Sequence, residues 1–113
     1  MSVGYTLVNF TKGERVTFAH LPVSTAREIA GNPVSAAMVS WYLLQNSGDV
    51  IRFCDDCSPT KIDTGSCRDV TDQLITELVD REILEDHGIA WQDEQEPSSV
   101  FIRDIRNRWF SDS

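Results

Sequence analysis

Cys54, Cys57 and Cys67 form the pattern C-x2-C-x9-C, and a fourth donor from His87 or Asp63 would complete the residue types of a tetrahedral zinc site. A second CxxC pair is lacking, and a small buried thiol at the end of a strand is the plainer account of Cys54. Asp55 and Asp56 between the first two thiols oppose thiolate formation, which disfavours redox chemistry. His20 and His87 are the only histidines, and neither falls in a nucleophile-elbow, metalloprotease or phosphate-loop pattern. His20, beside a strand end, is expected to be a structural hydrogen-bonding residue. The acid pairs Asp55-Asp56, Glu85-Asp86 and Asp93-Glu94 are sequence neighbours that point different ways, so they do not read as a cation site or as a general acid and base. The reading is therefore of a protein that is not an enzyme, with no catalytic residue, no cofactor and, beyond the weak cysteine pattern, no metal.

What chemistry remains is electrostatic. The chain carries 18 acidic and 10 basic side chains, a net charge of −8, and the excess is concentrated. Residues 1–53 are close to balanced, whereas residues 69–96 hold ten carboxylates against Arg81 alone. Such a field repels nucleic acid and membrane phosphates and attracts basic protein surfaces. Candidate partner-binding residues are Asp72, Glu77, Asp80, Glu82, Glu85, Asp86, Asp93 and Glu94. A solvated face that serves only solubility is the competing account.

The elements that must position these carboxylates belong to one domain, residues 1–113, long enough to bury its own core. Nothing reads as a secretion signal or a membrane span, and three cysteines form no disulfide framework, so the cytoplasm is the expected compartment. Tyr5–Phe10 and Arg15–Ala19 read as an antiparallel hairpin turning at Gly13, ended by Leu21-Pro22. Ser24 or Thr25 can cap a short helix closed by Gly31, and Asn32-Pro33 opens a helix to about Gln45 that is apolar on nearly every side. A strand over 50–54 joins the hairpin, and 55–66 has loop composition. Asp69 or Thr71 caps a helix with the stripe Leu74, Ile75, Leu78 and Val79. Residues 83–91 read as a helix end passing into a small hairpin or tight turn, and 92–97 as an acidic linker. Phe101, Ile105 and Trp109, four residues apart after Ser98 or Ser99, predict a final helix. The helix and turn-rich segment from Leu74 to Trp91 has the order of a winged-helix module but lacks its basic footprint. The expected class is α+β: a small antiparallel sheet packed on helices, with a helical, acidic C-terminal half. Its expected core includes Trp41, Leu44, Phe18, Leu7, Phe53, Leu78 and Ile105.

The strings YTLVNF, FAHLP, GNP, WYLLQN, GDVIRF and RDIRN resemble a family of small acidic uncharacterised bacterial proteins, over most of the chain except the cysteine loop. As a class the chain also resembles the immunity proteins of contact-dependent growth-inhibition and other polymorphic toxin systems. That resemblance implies a protein that binds a cognate toxin domain, basic and possibly a nuclease, and blocks it. The alternative is another non-enzymatic interaction or regulatory module. Oligomeric state is left open by the sequence.

Overall fold

A computed structural model describes residues 4–18, 20, 21, 23, 25–55, 67–98 and 100–109. Its first elements are β1 (Tyr5–Asn9) and β2 (Glu14–Val16), antiparallel with Leu7 opposite Val16. The four-residue turn between them closes with Gly13 at φ 66°, where a Cβ would be strained, and the Gly13 amide donates to the Asn9 carbonyl at 2.9 Å. Asn9 is fully buried, and its side chain is satisfied: Nδ2 donates to Asp49 and Oδ1 accepts from the Lys12 amide. This ties the hairpin turn to the turn that follows the long helix.

Thr25 caps α1 (Ala26–Gly31) in a reciprocal capping box with Glu28. Asn32 caps α2 (Pro33–Gln45), accepting from the amides of Val34 and Ser35, with Pro33 at the first helical position. Buried Ser35 donates from Oγ to the Ile29 carbonyl at 2.7 Å and so binds the two helices together. β3 (Ile51–Asp55) pairs antiparallel with β1, and β4 (Arg68–Asp69) pairs parallel with β2, giving a sheet of order β3-β1-β2-β4. α3 (Thr71–Asp80) buries Leu74, Ile75 and Leu78. β5 (Leu84–Gln92) and β6 (Phe101–Asn107) make a separate two-stranded antiparallel ribbon. The fold is α+β, and no described helix is long and apolar enough to cross a membrane.

One core joins Leu7, Val16, Phe18, Met38, Leu78 and Leu84 with their neighbours. The ribbon is sewn to it by Asn107, whose Nδ2 donates to the Pro33 carbonyl at 2.8 Å, and by the Arg103 amide, which donates to the His20 carbonyl. His20 stacks flat on Phe101 at 3.8 Å between ring centres, and its Nδ1–H donates to the Phe101 carbonyl at 3.1 Å.

Several expectations are corrected here. The final helix over Phe101, Ile105 and Trp109 is instead β6, because a four-residue spacing is also a multiple of the strand period of two. Ile105 and Asn107 alternate inward, and Trp109 lies beyond the strand, 79% exposed. Residues 83–91 hold no hairpin of their own; they contribute one strand, and 93–98 is its connection to β6 rather than a linker. The C-terminal half is thus one helix followed by a ribbon. Leu44 is 71% exposed because α2 turns the Ser35, Met38, Tyr42 side to the core. Phe53 is 42% exposed on the edge strand β3, where its ring meets Tyr5 edge-on. Trp41 is partly buried against the core. The residue at the start of α3 is Val70, which provides no side-chain cap. The Asp69 carboxylate accepts from Thr71 instead, while Thr71 Oγ1 accepts from the Thr17 amide.

Candidate functional site

The acidic segment folds as α3, a tight reversal, β5 and the connection to β6. The reversal is a Schellman motif: the Glu82 amide donates to the Val79 carbonyl at 3.0 Å and the Ile83 amide to the Leu78 carbonyl at 2.9 Å. The position that closes such a motif has left-handed backbone and usually holds glycine; here it is Glu82, at φ 62°. Its carboxylate is thereby fixed at the point where the helix gives way to the strand.

The eight predicted partner-binding carboxylates do not form one set. Arg103 on β6, with a side chain only 18% exposed, bridges two of them, donating to Asp72 on α3 and Asp86 on β5 at 2.9 Å each. The Gly88 amide, donating to Asp86 Oδ1 at 2.9 Å, is the main cause holding the Asp86 carboxyl below its usual range, with Arg103 adding to it. Glu77 accepts the indole N–H of Trp41 at 2.9 Å, and Arg81 lies over the same indole ring, 5.6 Å from its centre. Asp93 accepts from the amides of Gln95 and Glu96 and shapes the β5–β6 connection. Glu85 lies 3.6 Å from His87 and 3.9 Å from Arg108. Asp80 and Glu94 have no ion pair among the described residues, and Glu82 meets Arg108 only at 4.0 Å. These three are the carboxylates left for an incoming cation.

Arg103 is the organiser that the sequence did not reveal, since it contacts residues 31 and 17 positions away in the chain. Further off, Glu14 accepts from the Tyr42 hydroxyl at 2.7 Å and from Arg68 at 2.6 Å. Burial raises the Glu14 carboxyl, but those two donors outweigh it and the net shift is downward. Burial and then the Glu14 carboxylate push the Tyr42 phenol up to about 12. This buried pair fastens α2 to β2.

Cys54 lies on β3 and Cys67 immediately precedes β4, at opposite edges of the four-stranded sheet, three strand spacings or about 14 Å across it and further offset along the strands by the register. That separation is far beyond what two thiolates bound to one zinc allow. Cys57 and Asp63, like Asp56, lie outside the described residues, and His87 is on the other sheet. Among the described residues no group of three or more His, Cys, Asp or Glu side chains could hold a metal. A cleft of about 410 Å³ lies between α1, α2, β1 and β3 and is lined by apolar groups such as Ile29, Ala30, Val39 and Phe53.

Fold and surface together define an α+β protein with Asp80 and Glu82 exposed at its helix-to-ribbon junction, Asp80 without an ion pair among the described residues and Glu82 4.0 Å from Arg108. No family model matches the chain, and neither a curated protein nor a solved structure is found to be similar to it.

Proposed function

We propose that this chain is an immunity protein: it binds a basic bacterial toxin domain through the carboxylates at the α3–β5 junction and the β5–β6 connection, and so neutralises it. The observation that carries the reading is the division of labour among the acids. Arg103, Trp41 and the backbone occupy Asp72, Asp86, Glu77 and Asp93, and Glu85 lies near His87 and Arg108, while Asp80 and Glu94 are exposed with no ion pair among the described residues and Glu82 is exposed with only a 4.0 Å contact to Arg108. Glu82 supports it further, because a charged side chain stands where glycine would relieve the backbone. Opposite fields speed encounter and suppress wrong partners, and a carboxylate that meets Arg in a desolvated centre costs about 2–5 kcal/mol when truncated.

The test uses the product of a neighbouring toxin gene as the partner. Its association with the full chain is followed by stopped-flow fluorescence across a salt series, beside a growth-protection assay. The triple substitution D80N/E82Q/E94Q is expected to slow association roughly tenfold at low salt. E28Q on α1 removes one charge outside this face, and glutamine can still complete the capping box, so it should change little. Association that ignores both salt and the triple substitution would refute the proposal.

A further inference from the structure

We infer that the outer edge of β5 is where the partner is gripped, by addition of an extended basic segment of that partner as a third strand beside the ribbon. The inference rests on the proposed binding of a basic protein and specifies how its chain is held. β5 is nine residues long and pairs only with β6. The far edge of β6 is already engaged, through the Arg103 amide to the His20 carbonyl. Among the described residues, no backbone hydrogen bond outside the ribbon involves Leu84–Gln92. Every residue from Glu85 to Gln92 is exposed. Apart from the Gly88 amide, which donates to Asp86, main-chain groups along this edge have no partner outside the ribbon among the described residues, the geometry that recruits another strand.

Two features select the occupant. The edge lacks the lysine and proline that usually blunt such strands. It carries exposed Ile89 and Trp91, and it is flanked by Glu82, whose ion pair to Arg108 is 4.0 Å long, and by Glu94, which has none among the described residues; Glu85 and Asp86 are already engaged within the fold. Residues 80–109 hold eight acidic and four basic side chains, so a second copy of this ribbon would bring like charges together, whereas a strand with alternating Lys or Arg is complementary. The register shifts between Asp86 and Trp91, with Gly88 at φ 96°, twist β5 locally and divide its outer edge into two short stretches, so an added strand must follow the same bend.

The probe is the capped peptide Lys-Val-Lys-Val-Lys-Val-Lys, titrated into the full chain at low salt while amide hydrogen exchange is read residue by residue. A second peptide of the same sequence is N-methylated at every residue, which keeps its charge and removes the backbone donors of both edges. The expected result is exchange slowed within Glu85–Gln92 by the first peptide only, with the methylated peptide binding about tenfold or more weakly, equivalent to roughly 1.4 kcal/mol. Equal binding of the two peptides overturns strand addition while leaving the acidic-face reading standing. So does an absence of protection in β5 at millimolar peptide. Sedimentation showing dimers whose formation protects the same amides overturns it in favour of a second copy. Failure of D80N/E82Q/E94Q to affect the toxin, with β5 protection intact, instead refutes the proposed function.

Discussion

Replacing Glu82 with glycine separates the strain at the Schellman position from the charge it carries. A non-glycine residue in left-handed backbone costs about 1–2 kcal/mol. Glycine returns part of that, about 0.5–1 kcal/mol, through its greater freedom in the unfolded chain. The carboxylate itself adds little, because its contact with Arg108 is 4.0 Å long and both side chains are well exposed. E82G should therefore make the protein more stable by about 0.5–1 kcal/mol in urea unfolding at neutral pH with the slope unchanged. E82A supplies the control: it removes the same charge but keeps a Cβ, so it should bring no such gain. Both variants should bind a basic toxin domain more weakly, and to the same degree. E82G no more stable than E82A would mean that the backbone at Glu82 stores no strain, and would remove the argument that charge is retained there at a cost.

Tyr42→Phe removes a hydroxyl that donates to a partly buried carboxylate, and should cost about 1.5–2 kcal/mol at pH 7, the low end for a charge-assisted bond because Arg68 is exposed. Glu14 titrates below its usual value when folded, so its contribution is present above the ordinary carboxyl pKa and fades as pH falls through the lowered one; the penalty of the substitution should shrink in acid. The Tyr42 phenol is raised from 10.0 to about 12, so its contribution is complete below pH 10 and is lost as pH climbs toward 12; chemical unfolding across both ranges checks each sign. Leu78→Ala, at a side chain with 0% exposure, should cost about 2.7–5 kcal/mol, whereas Leu44→Ala should stay within about 0.5 kcal/mol; similar losses at both sites would contradict the assignment of the core face.

The legible parts of the fold were those whose signals are local. Thr25 with Glu28, Asn32 with Pro33, and Gly13 in a tight turn each state their own backbone geometry, and both helices and the hairpin follow from them. The spacing of Phe101, Ile105 and Trp109 is satisfied by a helix and by a strand, and only the inward positions of Ile105 and Asn107 decide between them. α2 is apolar all round, so periodicity could not separate Met38 from Leu44. The two-residue strand β4 exists through its parallel register with β2, a long-range pairing with no local mark. For the surface, composition located the acids but not their partners. Arg103 engages two of them, Asp72 and Asp86, and so joins α3, β5 and β6, while Trp41 and backbone amides engage Glu77 and Asp93.

The seam that Asn107 makes with the Pro33 carbonyl spans 74 residues of chain and bears on how the protein is born. At about 5–20 residues per second, translation from one partner to the other takes on the order of 4–15 s. For that interval α1 and α2 can form, but the strand that caps their junction and shields His20 does not yet exist. A nascent chain stopped before Phe101 would have its acidic helix and lack the ribbon that locks it in place. Packing of the ribbon therefore waits until β6 has been made, and under the proposed function a stop codon just ahead of β6 should abolish growth protection.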